Sequence, residues 1–185
     1  MTIEQLNTVL DNLCSLSAEN EIVEFKEAKN TYDFSKLGKY FSALSNEANL
    51  KGKAFAWLVF GVEDKKHNIV GTKFRLQRKD LDSLKGEIAK KTTNGISFIE
   101  IYEVIKPDGR ILMFQIPAAP KGIPIAFDGH YYARDGEELA PLNIEKIERI
   151  RGQIIKDDWS AAIIPDATID DLDEDAIKVA KEKYK

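Results

Sequence analysis

Cysteine occurs once in the 185 residues, as Cys14, and histidine twice, as His67 and His130. A lone thiol closes no internal disulfide, and these three side chains supply neither a familiar zinc spacing nor a Ser/His/acid or Cys/His catalytic set. An oxygen-ligated hard cation stays open, because it needs carboxylates rather than thiols. No apolar run approaches the roughly 20 residues that cross a bilayer. The opening 13 residues carry Glu4 and Asp11 where a secretory leader has a basic stretch followed by an apolar one. These absences argue against a membrane span and a secretory signal and lead us to expect a cytoplasmic protein. Gly38, Gly52 and Gly61 match neither a Walker nor a dinucleotide fingerprint, so no nucleotide-binding motif is assigned. Internal repeats and low-complexity segments are lacking too.

What is present is the composition of an ordinary folded protein, 43% apolar and 31% charged, with 11 Gly and 6 Pro. The length suits one good-sized domain and an appendage. The formal charge of −4 is unevenly spread: residues 157–185 hold nine acids and four bases, leaving a near-neutral body with 22 acids and 23 bases. Lys73, Arg75, Arg78, Lys79, Lys85, Lys90 and Lys91 crowd into one stretch against Asp80, Asp82 and Glu87. That stretch is either a local positive surface or a solvated helix.

Ile3, Leu6, Val9, Leu10 and Leu13 recur at helical spacing and predict an N-terminal packing helix within residues 1–18. A body over 19–156 follows. Ile22, Val23 and Phe25 predict a short strand, and Asp33 or Ser35 can cap a helix over 34–48. The dense apolar run 54–62 reads as a central strand buried on both faces, Trp57 included, with a short return strand at 68–70. A helix from Asp80 or Asp82 to about Lys90 comes next, then a hairpin of 97–105 with 111–116 around Pro107-Asp108-Gly109-Arg110. A second pair, 124–127 and 130–134, turns at Asp128-Gly129. Asn143 caps a final helix to about residue 155, with Ile144, Ile147, Ile150 and Ile154 as its buried row. The fold class is α+β, mixed or antiparallel strands flanked by helices. Residues 157–185 form an acidic extension with an apolar island at Trp159, Ile163, Ile164 and Pro165, and a helix from Leu172 or Asp173 that runs off the end as a continuing chain would.

The segment 19–29 is marked as a site by four carboxylates and an ammonium within nine residues, Glu19, Glu21, Glu24, Lys26 and Glu27. In a strand Glu24 and Lys26 share one face and Phe25 takes the other. Glu19 and Glu24 can hold Mg²⁺ or Mn²⁺, or Glu24 and Lys26 can simply form an ion pair at a sheet edge. The turn after the central strand adds a third candidate carboxylate, either Glu63 or Asp64, if the two strands adjoin. Lys26, Lys51, Lys53, Lys73, Arg75, Lys79 and Arg134 are candidate phosphate contacts. Tyr131 and Tyr132 point to opposite faces, so at most one is free to stack on a base.

Glu19, Val23-Glu24-Phe25-Lys26, Ala43-Leu44-Ser45-Asn46, Leu58 through Asp64, Ile69-Val70-Gly71 and Tyr131 through Gly136 stand in an order and spacing that resemble the Schlafen AlbA_2 domains of bacterial transcriptional regulators. The resemblance implies an AlbA-like single domain, DNA binding, and a downstream regulatory module. This chain departs from the family's Asn-Thr-Glu-Gly-Gly pattern at residues 46–53, a change expected to lengthen the loop there and remove one of a glycine pair. RNA-cleaving Schlafen proteins carry three carboxylates on the same fold, and the matching positions are Glu19, Glu24 and Asp64, with Glu63 as fallback. Three readings follow. The first is a DNA-binding, secondarily RNA-binding, module that needs no cofactor. The second is a Mg- or Mn-dependent nuclease. The third is a protein-interaction module, or a homo-oligomer, docking through the acidic tail.

Overall fold

The computed structural model describes residues 1–15, 21–136, 138–153, 168 and 171–184. The chain divides into two compact units, Met1–Ile154 and Ile155–Lys185. In the first, α1 (Ile3–Cys14) starts at Thr2, whose hydroxyl accepts from the Gln5 N–H while the Gln5 side chain accepts from the Thr2 N–H. A four-stranded sheet follows the order β1-β2-β4-β3, built from β1 (Val23–Lys26), β2 (Phe55–Phe60), β3 (Glu100–Lys106) and β4 (Gly109–Pro117). β1 and β2 are parallel and the other pairs antiparallel, so the sheet is mixed.

Alternation decides which side chain goes to which layer. Val23, Phe25, Trp57 and Val59 pack with Leu6 and Leu10 of α1 on one face. On the other, Leu58, Phe60, Leu112 and Phe114 meet α2 (Phe34–Leu50) and α3 (Arg78–Ala89) through Leu37, Phe41, Leu44, Leu81 and Leu84. Each fully buried Leu or Phe contributes about 1.5–3 kcal/mol. Trp57 is core, as its setting predicts.

α2 also carries a polar row at helical spacing, Ser42, Ser45, Asn46 and Asn49, that faces protein rather than water. Asn46 donates to the carbonyls of Ile125 and Tyr132 at 2.9 Å each and accepts the Ile125 N–H at 2.8 Å. Ser42 donates to Ile125 O at 2.6 Å and accepts the Tyr132 N–H at 3.1 Å. This row sews α2 to a second, three-stranded antiparallel sheet of β5 (Ala126–Phe127), β6 (His130–Asp135) and β7 (Glu138–Pro141). Asp128 and Gly129 both have positive φ, 48° and 79°, which is the geometry of a type I′ turn and explains the Asp-Gly pair. α4 (Ile144–Arg151), capped by Asn143, closes the unit.

Several expectations are corrected. Residues 46–53 do not form a lengthened loop: α2 runs on to Leu50, and Gly52 at φ 65° turns the chain toward β2. The return strand at 68–70 is a single bridge between Val62 and Ile69. α3 begins at Arg78, ahead of Asp80. In α4, Ile150 is buried but Ile144 is 74% exposed, because the helix presents only the next turn to Ala133 and Leu142. β7 was not foreseen. Ile154 and the Trp159 island lie outside the described residues, and α5 (Glu174–Lys183), capped by Asp173, forms where expected. Among the described residues no helix is long and apolar enough to cross a membrane.

The basic stretch is largely matched by acids. Arg75 reaches Glu87 at 2.7 Å, Lys91 reaches Asp128 at 2.7 Å, and Arg78 pairs with Asp82 and Glu100. Glu100 accepts from Lys85 at 2.8 Å, Arg78 at 2.7 Å and the Ile101 N–H at 2.7 Å, tying α3 to β3. Burial pushes its pKa upward, but these three donors outweigh that and hold it down at about 2. The unfolded chain, with an ordinary value of 4.5, takes up the proton first, so Glu100 stabilises fully above that value and the stabilisation is lost as pH falls toward about 2. Thermal melts across this window should fall more steeply for the native sequence than for Glu100→Gln. Parallel slopes would contradict the assignment.

Candidate functional site

Because β1 and β2 are parallel, their carboxyl ends lie side by side, Lys26 opposite Phe60. The Gly61 N–H donates to the carbonyls of Lys26 at 2.9 Å and Glu27 at 3.2 Å. Gly61 sits at φ 92°, and a Cβ there would stand 2.7 Å from Arg110 O, so the turn requires glycine. The two departing chains wall a hollow of about 500 Å³ lined by Lys26, Glu27, Ala28 and residues 63–66. Ends of parallel strands are where α/β folds commonly place ligands.

At its floor four charged groups form one chain. Glu24, 1% exposed, projects from β1 toward the α2 layer and pairs with two cations, Lys26 at 2.5 Å and the guanidinium of Arg134. Lys26 pairs in turn with Asp64. The Tyr40 ring lies against both cations, 5.6 Å from Lys26 Nζ and 5.7 Å from the Arg134 guanidinium carbon. The order is Arg134, Glu24, Lys26, Asp64, with exposure rising from the fully buried guanidinium to a half-exposed Asp64.

Arg134 is fixed from behind. Glu47, 1% exposed, accepts the Arg134 N–H at 3.2 Å and Lys146 Nζ at 2.5 Å, while Lys146 also donates to Arg134 O at 2.9 Å. Tyr32 stands on Phe60 with ring centroids 4.7 Å apart. Burial first, then the nearby Tyr40 and Asp64, pushes its hydroxyl well above the ordinary phenol value, so it stays neutral.

The strand thus places Glu24 with Lys26 and Phe25 opposite, as alternation predicts, and adjoining strands bring Asp64 to them. Glu63 lines the same hollow but accepts from Asn68 at 3.2 Å instead of pairing with Lys26. Glu19 lies outside the described residues. Arg134 is 1% exposed and grips Glu24, so it does not face solvent. Lys51 pairs with Glu21 at 3.1 Å, and both Lys51 and Lys53 precede β2, at the opposite end of the sheet. Arg75 is occupied by Glu87 and by Asp80 O. Lys73 and Lys79 are exposed, and Lys73 lines an adjoining hollow of about 530 Å³ with Lys29 and Asn30. Sequence reasoning missed Lys65 and Lys66 on the rim, Tyr40 against the cations, and the Glu47–Lys146 clasp. The signal for the two lysines is the charged turn Glu63-Asp64-Lys65-Lys66 itself.

Among the described residues the carboxylates expected to hold a divalent metal are engaged by cations: both oxygens of Glu24 are taken, and Asp64 shares one of those cations. Among the described residues no group of three or more His, Cys, Asp or Glu gathers to hold a metal.

A buried carboxylate that loses a cation leaves an uncompensated charge, and breaking such a pair costs about 3–5 kcal/mol. Arg134→Met should therefore destabilise the unit by about 3 kcal/mol in urea denaturation, Lys26 still offsetting part of the loss. A change below about 1 kcal/mol, the range of exposed pairs, would contradict the arrangement.

The family model described as Schlafen, AlbA_2 matches residues 19–143. No curated protein matches the chain. Among solved structures, the DIP2311 protein from Corynebacterium diphtheriae is 21% identical, with a TM-score of 0.57 over 97% of this chain and 39% of its own. This chain therefore spans well under half of that protein's length. The N-terminal domain of a protein described as related to the ATP-dependent DNA helicase RecG, from Nitrosomonas europaea, is 21% identical over 71% of this chain and 88% of its own, with a TM-score of 0.42. At these identities the first likeness concerns the fold alone. The family match covers most of the chain, and it carries the conclusion: this chain belongs to the Schlafen AlbA_2 family.

Proposed function

We propose that this domain binds nucleic acid, DNA in the first place, by gripping backbone phosphates at the hollow between the ends of β1 and β2. The observation that carries this reading is Lys26: an ammonium held in place by Glu24 and the Tyr40 ring at the floor of an open hollow. A cation fixed before the ligand arrives loses little side-chain entropy on binding, which favours contact over a free surface lysine. Lys65 and Lys66 stand on the rim, exposed and without an ion-pair partner among the described residues. Lys73 extends the grip along the adjoining hollow, and Lys79 lies a few residues further. Arg134 acts by positioning Lys26 through Glu24. Lys51, Lys53 and Arg75 take no part in this grip.

Family membership supports the same reading, since the family as a whole is described as DNA-binding domains of transcriptional regulators. Glu27, Glu63 and Asp64 share the hollow with the lysines, so the affinity is modest, dominated by phosphate and sensitive to salt, without base readout. RNA phosphates would satisfy the same contacts. In a longer protein such a module would serve as the input of a regulator. The nuclease reading retains the closeness of Glu24 and Asp64 but asks both to abandon Lys26.

Lys65→Glu/Lys66→Glu should weaken binding to a labelled DNA duplex in fluorescence anisotropy. It should also flatten the dependence of log K on log salt by about 0.9 for each phosphate that the variant no longer neutralises. Affinity and slope identical to the native protein's would sink the assignment.

A further inference from the structure

The charge chain at the floor has an uneven build with a regulatory consequence. Glu24 and Arg134 are each 1% exposed and neutralise one another inside the protein. Glu24 being shared with Arg134, the charge of Lys26, whose side chain is 14% exposed, is balanced among the described residues by its pairing with Asp64. The Asp64 side chain is 47% exposed. Its neighbour Glu63 is anchored, through its N–H to Asn68 O at 2.9 Å, its carbonyl to the His67 N–H at 3.1 Å, and its side chain to Asn68. The turn is therefore fixed at Glu63, while the Asp64 carboxylate can rotate into water at little cost, as half-exposed ion pairs do. When it leaves, Lys26 keeps Glu24 and the face of Tyr40, so the ammonium stays where it is.

We infer that Asp64 is a displaceable plug: its carboxylate occupies the phosphate position on Lys26, and one phosphate of a nucleic-acid strand binds there by exchange. This rests on the nucleic-acid reading above and adds a regulation to it. A carboxylate oxygen and a phosphate oxygen are interchangeable acceptors for an ammonium, and both cannot hold its outward side at once, because like charges that close repel. Binding then costs the release of Asp64, and the carboxylate sets the salt level at which the domain lets go. The plug also reverses the sign expected from a metal-holding carboxylate, whose removal would weaken the site.

The test compares binding of a labelled mixed-sequence DNA duplex, by anisotropy at low salt, to the native chain, Asp64→Asn, Asp64→Glu and Glu63→Gln, each checked for folding by circular dichroism. Asp64→Asn, which keeps the size and removes the competing charge, should bind about two- to fivefold more tightly, the range an exposed pair accounts for. Asp64→Glu should bind like the native chain. Glu63→Gln removes the same charge from the same turn without touching Lys26 and should change affinity less. An Asp64→Asn affinity equal to or weaker than native overturns the plug, as does an equal gain in Glu63→Gln, which would reduce the effect to net charge. In either case loss of binding in Lys65→Glu/Lys66→Glu would leave the nucleic-acid reading standing. If no protein in the series binds DNA, that reading falls instead.

Discussion

A carboxylate placed in the interior needs cations, and Glu24 draws the rest of the site around itself. Alternation along β1 sends Phe25 into the α1 layer and Glu24 into the α2 layer, where water is excluded. Isolated there, the charge would cost several kcal/mol. Arg134 answers it from the second sheet and Lys26 from two residues along the same strand. The ion pair therefore does two jobs. It fastens β6 to the edge of the main sheet, and it holds Lys26 at the mouth of the hollow.

The fastening is redundant. The polar row on α2 binds the backbone of Ile125 and Tyr132, and Glu47 with Lys146 clasps the backbone of Arg134. With its main chain pinned on one side and its guanidinium committed on the other, Arg134 has little freedom to release Glu24. Buried polar contacts thus tie the four-stranded sheet to the second sheet through Glu24 and Arg134, and α2 to the second sheet through Asn46 and Glu47.

Local elements were legible in the sequence because local rules govern them. The amphipathic spacing of α1, the apolar run of β2 and the Asp-Gly turn each announce themselves within about ten residues. So did the shared face of Glu24 and Lys26. Asp64 was legible only conditionally, since nothing local says that β1 and β2 adjoin. Arg134 was misplaced at the surface because a strand arginine usually snorkels to water, and only the long-range meeting with Glu24 explains its burial. The pairing of the basic stretch before and within α3 was hidden for the same reason: its acids include Glu100 and Asp128, remote in sequence and adjacent in space. Residues 46–53 showed the converse, a departure from a family pattern that extended a helix rather than a loop.

Lys26 is thus a cation whose position is set by buried chemistry and whose outward side is available by exchange. The most direct measurement is an NMR titration of unlabelled DNA into protein carrying ¹⁵N-labelled lysine side chains. The prediction is that the Lys26 ammonium signal is resolved in the free protein, protected by its ion pairs, and shifts together with those of Lys65 and Lys66 as DNA is added. Saturable binding in which Lys26 stays still while lysines at the far end of the sheet, Lys51 and Lys53, move would contradict it.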